Sequence, residues 1–393
     1  HKHHRVVFTW RIYLRSSRKS SSTISQSHLF ADIYLDEHVL CKRLHSVLTE
    51  NTSIAPHIHK LTVSLYQYTG FTDDEVLPLI FDMMASLRIF TLSGNYQSTW
   101  MTIPAHTQSA IFRIFSLPTL LTIRLICVFD IPITFFQIPK TLENLILDDF
   151  SFDGLLDLDN PPSLFFRSLQ LGSLPHDTTR SAIMLPNSCF SQMSDLCSKL
   201  THHTRPTLVH VLKTSARSLT SLKLIHTYTR YASPGENMML SQFRLPGLAN
   251  LKFISFNFEI HYSSPTNLQH NGDVVIQQLI SFLAANADAM RYIERFTMTF
   301  TPLTYRGIAR DDRRMPNILR DVECWNDLDK AIKTRCVRRG LRVRLVLIVR
   351  SSQPSELVDR RNKWQECMLM TFPPLRERGA LALDIEDALS SVW

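Results

Sequence analysis

The chain has 393 residues, of which 44% are hydrophobic and 20% charged, with a net charge of +8; that suits two or three compact domains or one elongated repeat array. Ten glycines argue against Gly-rich phosphate loops. The apolar run 117–138 is broken by Pro118, Arg124, Asp130 and Pro132, which excludes a membrane span of about 20 uninterrupted apolar residues.

The chain opens at HKHHR without Met, which suggests a fragment or an imperfect gene model; the following run VVFTWRIYL is short and carries Arg11, so no signal peptide is expected. Residues 15–27 are Ser-rich and basic, a loop or linker. A helix is predicted over 37–50, with Val39, Leu40, Leu44, Val47 and Leu48 on one side, and Asn51 to Pro56 break it. From there one pattern recurs: apolar-x-x-apolar-x-apolar. It is clearest at Leu142-x-x-Leu145-x-Leu147, where alternation marks a strand with one buried face. The other copies start at Ile58, Met84, Leu120, Phe166, Leu219, Leu248 and Ile293. A single such unit cannot bury its own apolar face and calls for copies stacked beside it. Most steps between starts suit a leucine-rich repeat of about 20–29 residues. The step from 84 to 120 carries an insertion, and those from 166 to 219 and from 248 to 293 read as double steps with a degenerate copy.

Past residue 303 the pattern changes to a charged loop over 304–320, a helix over 321–334, a strand over 341–349, a helix over 354–370 and a last strand over 381–385. The expected fold is therefore α/β: an irregular leucine-rich-repeat-like solenoid with a parallel sheet over 37–303 and an α/β capping region over 304–393. Residues 1–36 form a linker ahead of it.

Chemistry is sought and not found. P-loop, dinucleotide, zinc-protease and nucleophile-elbow motifs are absent, and the pairs His57/His59 and His202/His203 lack a carboxylate at ligand spacing. Asp73-Asp74, Asp148-Asp149 and Asp311-Asp312 are neighbours that a strand would point to opposite faces. No enzyme activity, cofactor or metal is expected. Seven scattered cysteines without C-x-x-C spacing fit buried thiols in a reducing compartment, cytoplasmic or nuclear. Positive charge gathers in residues 1–20 and 301–350; the run from Lys333 to Arg344 has no interleaved aromatics to stack bases, so nucleic acid is not expected.

At Ser27-His28-Leu29-Phe30, with Ile33-x-Leu35-Asp36 and Ile54-Ala55-Pro56-His57-Ile58-x-x-Leu61, the chain resembles fungal F-box proteins with degenerate leucine-rich repeats. Thr141-Leu142-Glu143-Asn144-Leu145 and Pro373-Pro374-Leu375-Arg376 are further points of similarity. The resemblance implies a substrate receptor of an SCF-type ubiquitin ligase, whose F-box docks on a Skp-type adaptor while the repeats hold the target. It makes Trp10, Leu29 and Phe30 the remnant of the adaptor-binding element in residues 1–36, with the Leu-Pro-led first half absent, so this chain alone should bind the adaptor weakly. The competing expectation is a repeat-based interaction scaffold with no ubiquitin-ligase link.

On either reading the target lies on the concave sheet face. The residue between the two inward apolar positions of each unit points onto that face: Thr62, Arg88, Arg124, Ile146, Gln170, Lys223, Lys252 and Thr297. Four are basic and none acidic. Arg88, Arg124, Lys223 and Lys252 are therefore the predicted partner-binding residues, Arg88 beside Arg124 and Lys223 beside Lys252, for an acidic or phosphorylated target.

Overall fold

A computed structural model describes residues 30–65, 75–95, 98–138, 140–153, 163–172, 189–228, 239–261, 265–304, 307–308, 319–336, 340–349, 354–369, 371–377 and 379–387. The chain is a mixed α/β fold built on one large parallel sheet. Its twelve-strand path is β1 (Asp32–Leu35), β2 (Lys60–Ser64), β3 (Ile89–Ser93), β4 (Thr122–Ile126), β6 (Lys140–Asp148), β8 (Leu164–Leu171), β9 (Asp195–Lys199), β10 (Ser221–Tyr228), β11 (Phe253–His261), β12 (Arg295–Thr304), β14 (Arg342–Val349) and β15 (Leu381–Asp387). Strand order follows chain order along this path. Short β13 (Gly307–Ile308) pairs antiparallel with β12, while β5 (Ile131–Pro132) and β7 (Phe152–Asp153) form a separate two-stranded ribbon.

The pattern residues explain the sheet. Leu145 and Leu147 in β6 pair in register with Ile123 and Leu125 in β4 and with Leu169 and Leu171 in β8. All six are buried. Helices cover this side with apolar stripes of their own: Cys41, Leu44 and Leu48 in α1 (His38–Glu50); Leu77, Ile80 and Phe81 in α2 (Val76–Asp82); Ala110, Ile111, Ile114 and Phe115 in α3 (Ala105–Phe115); and Leu208, Val211 and Leu212 in α4 (Thr204–Thr214). α5 (Pro265–Ala285) follows β11, and α6 (Ala287–Met290) leads to β12. Beyond β12, α7 (Trp325–Arg335), α8 (Pro354–Leu369) and α9 (Pro373–Glu377) complete the layer. Trp325 anchors α7, its indole Nε1 donating to the Leu319 carbonyl at 2.6 Å. Strand and helix side chains belong to one continuous core.

Backbone hydrogen bonds fix the phase of each unit. The Ala31 carbonyl accepts from the amides of His59 and Lys60, that of His59 from Arg88 and Ile89, and that of Arg88 from Leu121 and Thr122. The same bond pair recurs at Leu121, Ser194, Thr220 and Lys252. One carbonyl thus ties a unit to the entry of the next at seven junctions. This bonding and the burial place ten pattern starts at Phe30, Ile58, Leu87, Leu120, Leu142, Phe166, Met193, Leu219, Leu251 and Ile293, all buried.

Two predicted starts are corrected by three residues, from 84 to 87 and from 248 to 251. In the first, Phe90 and Leu92 are the inward strand residues; in the second, Ile254 and Phe256 are. The step from 166 to 219 is double, and β9 supplies the middle copy with Ser198 in the last apolar position. The step to 293 is single among the described residues, because β11 pairs directly with β12. Both expected boundaries fall inside the sheet: β1 precedes residue 37, and β14 and β15 continue the same parallel register beyond residue 303. The predicted helices over 37–50, 321–334 and 354–370 match α1, α7 and α8, with α7 starting four residues later than expected. Most of the charged loop 304–320 lies outside the described residues. Among the described residues no helix is long and apolar enough to cross a membrane.

Candidate functional site: the bare face of the sheet

Alternation leaves every second strand residue on the side away from the helices. One outward row runs Tyr34, Thr62, Thr91, Arg124, Ile146, Gln170, Cys197, Lys223, Ser255, Thr297, Arg344 and Ala382 in continuous register. A second row, two residues nearer the strand starts, runs Asp32, Lys60, Ile89, Thr122, Asn144, Ser168, Asp195, Ser221, Phe253, Arg295 and Arg342.

Of the predicted partner-binding residues, Arg124 and Lys223 lie on the first row and are half-buried. Four strand steps separate them, roughly 19 Å at about 4.8 Å per step. Arg88 and Lys252 do not join the row: both are exposed and sit in the turns entering β3 and β11. Thr91 and Ser255 take the expected places beside Arg124 and Lys223, a consequence of the three-residue phase correction. Lys252 Nζ instead lies 3.8 Å from Glu294. Trp10 and Leu29 lie outside the described residues. Phe30 is buried, 8% exposed, as the leading apolar residue of the first unit.

The structure gathers a group that the pattern reading missed. A depression of about 240 Å³ opens on the bare face over β10, β11 and β12, lined by Ser221, Phe253, Ile254, Ser255, Arg295 and Thr297. Exposed Arg295 stacks over the Phe253 ring, with its guanidinium carbon 5.2 Å from the centroid. Lys223 borders it on the β10 side, next to Ser255 in register. Arg342 and Arg344 border it on the β14 side, next to Arg295 and Thr297. Arg344 is committed across to β15, with Nε donating to Asp384 at 2.7 Å and a terminal nitrogen donating to Glu386 at 3.0 Å. Considering both outward positions of each unit, rather than only the one between the inward pair, would have found Arg295 and Phe253.

All seven cysteines are free; burial pushes the thiols of Cys189 and Cys336 up, the latter to about 12. Burial also raises Cys197 on the face itself, with neighbouring Lys223 acting the other way. Such thiols are not poised as thiolates. Among the described residues no group of three or more His, Cys, Asp and Glu side chains is arranged to hold a metal ion. No family model matches the chain, and no curated protein matches its sequence.

Proposed function

We propose that the chain is an irregular leucine-rich-repeat-like solenoid that holds a target protein on its bare sheet face as the substrate-recognition subunit of an SCF-type ubiquitin ligase. Ten matched units with one face sealed by helices and the other left polar carry the target-holding part of this reading. A protein has no packing use for an uncovered face of that length, whereas stacked-repeat proteins bind through such a surface. The ligase link rests on the F-box resemblance, and it is supported by Phe30 standing directly ahead of β1, where that resemblance puts its His-Leu-Phe. In this role the chain binds and positions, and catalysis belongs to other subunits.

Proteins that accumulate when the chain is removed from its cells, and that lose ubiquitin conjugates, are the targets. A purified target should bind the chain and lose affinity at least roughly tenfold on Gln170→Glu with Lys223→Glu, while Lys363→Glu on α8 changes nothing. Targets bound equally by the double variant would remove the sheet face from the proposal. Bound partners whose ubiquitin conjugation never responds to the chain would leave the plain scaffold.

A further inference from the structure

The basic run from Lys333 to Arg344 has no aromatic residue of its own, but the sheet register brings one to it. In the second outward row Ser221, Phe253, Arg295 and Arg342 stand side by side on four adjacent strands, roughly 14 Å across at about 4.8 Å per step. Arg295 and Arg342 are exposed, and Phe253 is half-buried. With the Arg295 guanidinium lying over the Phe253 ring, the pair presents a flat cationic surface. Bases of single-stranded nucleic acid stack on aromatic rings and on guanidinium planes alike.

The polar groups around this pair suit the rest of a nucleotide. None of the hydroxyls of Ser221, Ser255 and Thr297 is hydrogen-bonded within the described residues, and no described carboxylate pairs with Arg295 or Arg342. The neighbouring acids are engaged elsewhere. Asp195, next to Ser221 in register, accepts from the Ser194 hydroxyl at 2.5 Å. Glu294 lies 3.8 Å from Lys252, and Asp384 and Glu386 hold Arg344. Lys223 adds positive charge on the β10 side, next to Ser255.

We propose that this stretch of the sheet binds single-stranded RNA, with a base stacked on the Arg295–Phe253 pair, phosphates held by Arg342 and Lys223, and ribose hydroxyls bonded by the serines and Thr297. This function goes beyond target recognition and does not depend on a ubiquitin-ligase link. Stacking requires unpaired bases, so a duplex cannot use the site, and the 2′-hydroxyl separates RNA from DNA there.

Labelled random-sequence oligonucleotides of about 12 nucleotides are titrated with the purified chain and followed by fluorescence anisotropy. Single-stranded RNA should bind saturably, at least roughly fivefold tighter than single-stranded DNA or duplex RNA. Three cations on phosphates give a slope of log affinity against log salt of about −2. Phe253→Leu should weaken binding at least roughly tenfold with that slope unchanged, because it removes a stacking ring and no charge. Phe253→Tyr should restore the affinity, and both variants should melt like the parent. Arg342→Ala should weaken binding and make the slope shallower by about 0.7. Absence of saturable binding to single-stranded RNA would overturn the proposal, as would equal affinity for duplex RNA or for single-stranded DNA. Unchanged affinity in both Phe253→Leu and Arg342→Ala would do the same. A protein target that binds this face while RNA does not would end the proposal and leave the receptor reading standing.

Discussion

The first four strands of the sheet and the strands from β10 to β14 are the same device at two scales. β1 to β4 have four or five residues each, and β10, β11, β12 and β14 have eight to ten. Behind the short strands lie α2 and α3, of 7 and 11 residues; behind the long ones lies α5, of 21. Among the described residues, contacts between phenylalanine and tryptophan rings form two separate groups. Phe81, Phe90, Phe115, Phe135, Phe136 and Phe190 run in sequence behind the earlier units, and Phe256, Phe258, Phe300, Trp325 and Phe372 behind the later ones. A longer strand adds outward positions, but the basic residues lie in the two rows that both parts share. There the short strands show Thr62, Thr91, Arg124 and a Lys60–Asp32 ion pair at 2.6 Å, whereas the long ones show Lys223, Arg295, Arg342 and Arg344. The two parts therefore differ both in strand length and in the charge of the rows they share.

The comparison assumes that inward positions carry stability and outward ones do not, and the largest expected effect tests that. Leu145→Asp places a charge in the core and should destabilise by more than about 4 kcal/mol, removing the cooperative unfolding transition. Gln170→Asp, one strand away on the bare face, should stay within about 1 kcal/mol. Denaturant melts of both variants check the pair; similar losses would erase the distinction between faces.

Next in size is a difference in pH response. The inward positions of β1 to β8 are hydrocarbon, but β10 turns His226 inward at 1% exposure, and burial lowers its pKa from 6.5 to about 4. Between those values the unfolded chain binds a proton that the folded chain refuses, so stability is full above the unfolded pKa and is lost as pH falls toward 4. The loss is at most about 3 kcal/mol at about 1.4 kcal/mol per pH unit. Melting temperatures measured between pH 7 and pH 4.5 should fall, and His226→Phe should flatten that part of the curve.

A smaller effect belongs to the short-strand part. A Cβ on Gly94 would lie 2.3 Å from the Cys127 carbonyl oxygen and 2.5 Å from the Ser98 Cβ, so Gly94→Ala should cost about 2 kcal/mol through forced backbone movement. Gly247 faces open space, and its alanine variant should melt like the parent. The smallest effect is at the far end of the sheet. Arg344→Ala removes two ion pairs whose side chains are 32–41% exposed, and calorimetry should show a loss of no more than about 1 kcal/mol.

Much of this was legible in the sequence wherever the pattern admits one phase. Leu142, Leu145 and Leu147 sit as read, and so do the units at 58, 120, 166, 219 and 293. The slips at 84 and 248 share one cause. Met84 and Leu248 are themselves buried turn residues three positions ahead of Leu87 and Leu251, so each leucine satisfies the pattern as either its first or its second apolar residue. Periodicity alone cannot choose between those phases; the carbonyl bonding between units does. The unit at Met193 escaped because Ser198 holds a position where its neighbours have leucine. β14 and β15 read as a separate cap because Gly340 stands where a leading apolar residue belongs, yet hydrogen bonding extends the sheet through them. Lys223 was within reach as a site residue. Arg295 and Phe253 stand at the second outward position of their units and could be named from it, but their closeness depends on strand register, which a single chain position does not encode.

The carbonyl that receives two amides from the following unit also frees the chain between units. Where it occurs, it re-establishes the backbone phase at the strand entry, so the intervening residues need only return to the right place. The spacing between successive unit starts varies from 22 residues (Leu120 to Leu142) to 42 (Leu251 to Ile293) within one unbroken ladder. The entropy of closing a loop rises only logarithmically, by about 0.6 kcal/mol for each doubling of length. Insertions and deletions on the helical side are therefore nearly neutral for chain closure, and sequence drift there can proceed while the donors on the opposite face keep their positions.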